Sequence, residues 1–398
     1  MRYWPIAVMG FASLSLVACS GSDSNTQHPA SGGGAGASGS SGSGGAIASG
    51  GSGGVAAGGS NSGGAGHGGS ASMSRGWLYT VGNKIMVSNG TSGTQWMGRG
   101  VNIDDIYFCG WNYTLSQPSP EKKLETESAS LIANWKPNFI RISLGMASST
   151  TVSSWLTDDA KYKTPMIAVI NSLTANPNVY VLVTLRSDAS MIGQDMGDGD
   201  PEATGIPSDS STTPDKMKFP NGTDPVYTGL VDAFAQNGSV LFGITNEPGG
   251  KTATDDTIAA AMSHAVSVIR AEEDKLGVPH HLVSVQGNGW TSQIGFYDKK
   301  PLTQDNVVYE VHGYPPMSSG YTFANIPVII GEYGTLDATS APPFFADLET
   351  KQISNLAWDF DAFSDCAPDL VSVSHDETKL NATDWGKLVQ AYLTKHAQ

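Results

Sequence analysis

From about Arg75 to Gln398 the sequence predicts an α/β fold, a (β/α)8 barrel of the TIM type preceded by a short β-hairpin. Three observations predict it. Short apolar runs of strand length recur eight times, and they are apolar at successive positions, as strands covered on both faces are. Amphipathic segments at helical spacing lie between several of these runs. Eight such repeats in about 300 residues match one barrel better than two small domains.

The elements follow in order. Trp77–Val81 and Lys84–Val87 flank Gly82-Asn83, which reads as a hairpin around a tight turn. The eight barrel strands are predicted at Trp96–Ile103, Phe139–Leu144, Val179–Leu185, Val240–Thr245, Leu282–Gln286, Val307–Val311, Val328–Gly331 and Leu356–Asp359. Lys122–Trp135 and Thr257–Leu276 are the clearest helices. Thr164–Leu173 and Val226–Ala235 are shorter, and Trp385–Lys395 closes the chain. A doubly wound open sheet is the alternative. No Gly-rich phosphate fingerprint follows any strand, which weighs against it.

The first residues read as a targeting signal. Arg2 is followed by an uncharged apolar run, Trp4 to Val17, too short to span a bilayer and suited to secretion. The run ends in Leu16-Val17-Ala18-Cys19. This resembles a bacterial lipobox, which implies a signal peptide over 1–18 and a lipid on Cys19. The alternative is an ordinary signal cut near Ala18. Ser20 after the cysteine favours the outer membrane, by analogy with Gram-negative sorting. Residues 19–74 are Gly, Ser and Ala with almost no large apolar side chain. Such a segment cannot offset its ordering entropy and should act as a flexible tether, spanning on the order of 40 Å. The folded domain is then 75–398, exported and held at the periplasmic or outer face of the membrane.

Charge narrows the partners. The 398 residues carry 22 Lys and Arg against 37 Asp and Glu, a net charge of −15. That disfavours nucleic acid, whose phosphates need a basic surface, and electrostatic adhesion to anionic lipid. An uncharged substrate is readily accommodated.

In a (β/α)8 barrel the chemistry sits at the C-terminal strand ends. The fourth run ends in Thr245-Asn246-Glu247-Pro248 and the seventh in Ile330-Gly331-Glu332-Tyr333-Gly334. Each puts a carboxylate at the rim. Two facing carboxylates are what glycoside hydrolysis requires, one to protonate the leaving oxygen and one to attack or to activate water.

These two segments resemble the signatures of clan A glycoside hydrolases, and the whole folded part resembles glycoside hydrolase family 5, the cellulase and mannanase group. Gly100-Val101-Asn102 resembles that family's strand-one motif, and Phe139-Ile140-Arg141-Ile142 its strand-two motif. Val311-His312-Gly313-Tyr314 resembles its strand-six motif, and Trp358-Asp359-Phe360 its strand-eight motif. The resemblance implies a retaining mechanism with Glu247 as acid/base and Glu332 as nucleophile. It implies that Arg141 and Tyr314 hold Glu332 ionised, that Asn246 bonds the sugar 2-hydroxyl, that His312 orders the acid/base side and that Trp358 floors the −1 subsite. It implies no cofactor. One departure stands out. The third run ends in Arg186-Ser187-Asp188, where the family usually has a histidine. Either Arg186 or Asp188 takes that contact or the subsite is rebuilt.

Other residues complete the reading. Trp111 and Trp290 are the first candidates for sugar platforms, with Tyr107, Phe108, Tyr113, Tyr227 and Tyr321 behind them. The acidic stretch Gln194–Glu202 reads as a solvated loop beside the cleft, with a calcium site as the alternative, though its spacing is not that of an EF-hand. The eight histidines show no zinc-ligand spacing, so no metal is expected. Cys109 follows strand one and Cys366 strand eight, neighbours in a closed barrel. In an oxidising compartment they suit a disulfide, with two free thiols as the alternative. The expected partner is a β-linked polysaccharide or oligosaccharide, and the expected state a monomer. A β-1,4-glucanase is the first reading, and the same machinery on mannan or xyloglucan the second. A surface glycan-binding lipoprotein without activity is the reading from another class.

Overall fold

The computed structural model describes residues 76–88, 93–106, 120–145, 155, 159–186, 224–248, 254–289, 291–314, 320–362 and 368–397. Cys19, the tether, Tyr107, Phe108, Cys109, Trp111, Tyr113, Asp188, the 194–202 loop, Trp290 and Cys366 fall outside them, as does the side chain of Arg186.

The hairpin forms as β1 (Leu78–Val81) and β2 (Lys84–Ser88), paired antiparallel with Leu78 opposite Val87. Gly82 takes φ +59, which a residue without Cβ adopts at little cost. A third strand, β3 (Gly93–Gln95), pairs with β2 and was not predicted. Three residues, two of them polar, carry no periodicity to read.

All eight barrel strands are present: β4 (Arg99–Ile103), β5 (Phe139–Gly145), β6 (Tyr180–Arg186), β7 (Val240–Gly243), β8 (Val283–Gln286), β9 (Val307–Gly313), β10 (Val328–Tyr333) and β11 (Ser354–Ala357). They close in the order β10-β11-β4-β5-β6-β7-β8-β9. The boundaries move by a few residues. β10 continues through Glu332, and β11 begins two residues before the predicted start, leaving Trp358 just beyond its end.

The predicted helices form as α1 (Pro120–Trp135), α2 (Thr164–Thr174), α3 (Asp224–Phe234), α4 (Asp255–Leu276) and, at the end of the chain, Asp384–Lys395. Local chemistry sets the ends of α4. Thr254 and Thr257 form a reciprocal capping box, and Gly277 ends the helix in the left-handed region. The sequence reading missed α5 (Gly295–Lys299) and α6 (Ala341–Lys351), so the final helix is α7. In α6, Pro342 and Pro343 look like breakers, yet they occupy the first turn, where no intrahelical N–H is lost.

The barrel interior is layered. Leu182, Leu241, Val308, Ile329 and Leu356, from β6, β7, β9, β10 and β11, and Leu282, just before β8, form an apolar floor with Phe139 and Tyr180. Leu78 and Ile85 of the hairpin and Trp96 pack onto the same cluster. Asn306, at the start of β9, ties the hairpin down. It accepts from the Thr80 N–H at 3.0 Å and donates to the Leu78 carbonyl at 3.1 Å. The hairpin therefore seals the N-terminal end of the barrel and leaves the C-terminal end to chemistry.

Candidate active site

Strand side chains alternate, so the residue two positions beyond each floor residue also faces inward. Counting on by two gives Arg141, Thr184, Gly243, Ser284, Glu310, Gly331 and Trp358. On β4 the corresponding inward residue is Asn102. A second layer, polar where the first is apolar, follows from the alternation.

Arg141 is its centre, with a side chain fully removed from solvent. Its Nη1 donates to Asn102 Oδ1 and to Glu332 Oε1, each at 2.9 Å. Its Nη2 donates to Asn246 Oδ1 at 2.5 Å, and its Nε lies 3.0 Å from Glu310 Oε1. Asn102 Nδ2 donates to the Gly331 carbonyl at 2.9 Å, fixing β10 beside Glu332.

A bulge aims Glu332. Ile330 pairs with Val311, but Glu332, not Gly331, pairs with His312. The extra residue turns Glu332 to the face that His312 occupies, whereas strict alternation would turn it away. Tyr314 then donates its hydroxyl to Glu332 Oε2 at 2.9 Å. Tyr314 is 37 % exposed as a residue, while its hydroxyl points inward to Glu332. Burial of that hydroxyl, with Glu332 and Glu247 beside it, holds its pKa well above the usual tyrosine value.

Glu247 lies beyond β7 at φ +44, an uncommon conformation for a residue with a side chain. Its N–H donates to Gln286 Oε1 at 2.6 Å, and Thr291 Oγ1 donates to the same oxygen at 2.7 Å. His312 joins the two rim carboxylates. Its Nδ1 is 2.7 Å from Glu247 Oε1 and 3.5 Å from Glu332 Oε2, and its Nε2 is 2.9 Å from Glu310 Oε1. Burial alone would strip the ring of its charge, but Glu332, Glu247 and Glu310 overcome this and raise its pKa to about 10. Glu310 is opposed by burial too. Arg141, His312 and the Ser284 hydroxyl, 2.6 Å from Oε2, outweigh that and hold it at about 2.

One oxygen of Glu247, one of Glu332 and a nitrogen of His312 lie within 4.8 Å of one another. The donor types are those of a metal site, and both nitrogens of His312 already face carboxylate oxygens. The amide nitrogens of Asn246 and Gln286 are buried without an acceptor among the described residues.

Arg141, Asn246, Glu247, His312, Tyr314 and Glu332 thus converge at one place. Trp358 sits just past β11 with 5 % of its surface exposed, and its carbonyl accepts from Trp385 Nε1 at 3.2 Å. Two candidate platforms are corrected. Tyr227 is buried in the helix–barrel packing of α3, and Tyr321 lies over α6, where it contacts Phe344 and donates to Asp347. Arg186 is placed only by its backbone, paired with Gly145. The sequence reading missed Glu310, Ser284 and Gln286. Glu310 left a signal, a lone charge inside the apolar run Val307–Val311 and two residues before His312, hence on the same face.

The cellulase model of glycosyl hydrolase family 5 matches residues 104–324. Among solved structures, the cellulase Cel5C_n superposes with a TM-score of 0.59 at 17% identity, covering 80% of this chain and 92% of its own. The catalytic domain of Thermobifida fusca endoglucanase Cel5A, in complex with cellotetraose, gives 0.57 at 17% identity, with 80% and 97% covered. The β-glucanase SdGluc5_26A from Saccharophagus degradans gives 0.59 at 16% identity, with 82% and 95% covered. A search of curated proteins finds no match. With the family model spanning more than half of the sequence and the barrel rim built as described, the chain belongs to glycoside hydrolase family 5, the cellulase family, and is a glycoside hydrolase.

Proposed function

We propose that the protein is a retaining endo-β-1,4-glucanase. The observation that carries the mechanism is the pair of rim carboxyls with oxygens within 4.8 Å. A retaining pair stands about 5–5.5 Å apart, and an inverting pair leaves room for a water between. In the first step Glu332 attacks the anomeric carbon. Arg141 and Tyr314 each donate to one of its oxygens and so aim it. Glu247 gives its proton to the leaving oxygen, and the glycosidic bond breaks as the ester to Glu332 forms. In the second step Glu247 takes a proton from water, the hydroxyl joins the anomeric carbon and Glu332 leaves as a carboxylate. The buried amide nitrogen of Asn246 has no acceptor among the described residues, and a sugar hydroxyl would supply one.

Glucan is preferred over mannan or xyloglucan because two of the structural neighbours carry the names of an endoglucanase solved with cellotetraose and a β-glucanase. The test is release of reducing ends from carboxymethyl cellulose, mixed-linkage glucan, xyloglucan and galactomannan, by the wild type and by Glu332→Gln. Hydrolysis of the first two, reduced at least about a thousandfold in the variant, is expected. Cleavage of galactomannan alone would move the substrate to mannan. Binding without cleavage of any glycan would replace the enzyme with a glycan-binding lipoprotein.

The same proposal places the barrel outside the cytoplasm, on a lipid attached at Cys19 and a tether through residue 74. Export of the full chain should put it in the outer-membrane fraction, and Cys19→Ala should release it. A variant that still sediments with membranes would remove the lipid from the proposal.

A further inference from the structure

We propose that Glu310 is a positioning residue for this hydrolysis: a third, permanently ionised carboxylate that fixes His312 as an imidazolium and keeps the catalytic cluster electrically neutral in both halves of the reaction. The inference rests on the hydrolase reading above.

The setting of Glu310 is unusual for a carboxylate. It lies in the middle of β9, fully removed from solvent. Among the described residues, it is faced by cations and a hydroxyl donor, and by a position that carries no side chain. From β5, Arg141 Nε lies 3.0 Å from Oε1. From β8, Ser284 donates to Oε2 at 2.6 Å. On its own strand His312 Nε2 lies 2.9 Å from Oε1. β10 offers Gly331, where a Cβ would stand 1.9 Å from Oε1. Glu332 shares Arg141 and His312 with it, and Glu247 shares His312.

An ionised carboxylate accepts hydrogen bonds and cannot donate them. Glu310 therefore takes the Nε2–H of His312 and leaves the other nitrogen to Glu247. With a proton on each nitrogen, Nδ1–H is given to Glu247 Oε1 at 2.7 Å. Oε2 of Glu247 is then the oxygen left to carry the proton meant for the leaving group. The raised pKa of His312 and the lowered pKa of Glu310 have the directions this arrangement needs.

The charges balance in each state. Before reaction, Arg141 and His312 are positive, Glu310 and Glu332 negative, and Glu247 carries its proton. In the glycosyl-enzyme, Glu332 is a neutral ester and Glu247 has become negative, with Arg141, His312 and Glu310 unchanged. The sum is zero both times. Without Glu310 it would be one positive charge both times, and a cluster with excess positive charge loses protons more readily.

The test uses the full chain with Glu310→Gln, which keeps the shape and removes the charge, and Glu310→Asp, which keeps the charge. In Glu310→Gln the basic limb of the kcat/KM–pH profile should move to lower pH by about one unit or more. Activity at pH 8 should then fall further than activity at pH 6. In Glu310→Asp the limb should stay where the wild type has it, even with a lower rate. A second readout needs no substrate. In protein labelled with ¹⁵N-histidine, with the His312 signals identified by their loss in His312→Asn, both ring nitrogens should be protonated at pH 8 in the wild type and only one in Glu310→Gln. A neutral His312 in the wild type at pH 8 overturns the proposal whether or not any variant folds. So does a Glu310→Gln protein that is slower by the same factor at every pH with its ring protonation unchanged. Failure on every glycan with an imidazolium at His312 would sink the hydrolase reading instead.

Discussion

Two layers of the barrel interior lie two residues apart on the same strands and differ in almost every property. The floor is made of Leu182, Leu241, Leu282, Val308, Ile329 and Leu356, sealed from below by the hairpin. The layer above holds Arg141, Glu310, Thr184 and Ser284, with Gly243 and Gly331 between them. Each floor side chain contributes roughly 1.5–3 kcal/mol by leaving water, with no partner needed. The upper layer works the other way. Charges out of water cost several kcal/mol each before their partners return the energy, so a buried ion network is weak evidence for stability. The difference teaches a division of labour. The floor supplies the free energy and rigidity on which an electrostatically costly layer can be held in one geometry.

The comparison breaks most sharply at Gly331. Alanine there would put a Cβ 1.9 Å from Glu310 Oε1 and 2.4 Å from its carboxyl carbon. Those atoms are pinned by Arg141, Ser284 and His312, so they cannot rotate away without opening the network. The same residue is the bulge that turns Glu332 inward. A displacement of about 1 Å at reacting groups can cost a hundredfold, so Gly331→Ala should lower kcat/KM by about a hundredfold or more. Initial rates beside a circular dichroism spectrum check this. A folded variant with wild-type rates would mean that the upper layer is softer than its contacts imply.

The sequence showed the two layers unevenly. The floor was legible because hydrophobic runs of strand length are the signal that periodicity carries, and all eight strands were predicted. The rim glutamates were legible because they close apolar runs in recognisable segments. Glu310 was overlooked inside such a run, although a lone charge two residues before His312 marks the same inward face. The inward turn of Glu332 was hidden for a different reason. It depends on a one-residue register shift, and period-two reasoning puts the side chain on the wrong face. β3 and α5 were too short to leave a pattern, and α6 opens on two prolines that read as a stop. The missed pieces share a cause. Each is fixed by contacts between strands or by the place of a residue within its element, which local composition does not record.

A smaller effect sharpens the comparison from below. Leu241 is 1 % exposed, lies in the floor and stands two residues before Gly243. Leu241→Ala should leave a cavity and cost about 2–5 kcal/mol of stability, depending on how far its neighbours close in. It packs in the apolar cluster rather than in the hydrogen-bonded network of Arg141, Glu310 and His312, so its effect on them should be independent within small error. Denaturant unfolding should show the loss, while kcat/KM at 25 °C stays within about twofold of the wild type. Set beside Gly331→Ala, the pair forms a crossed test, with one variant losing stability and keeping its rate and the other losing its rate. If Leu241→Ala lost activity as Gly331→Ala does, the floor would be shaping the chemistry directly. Two residues of strand would then be too little to insulate one layer from the other.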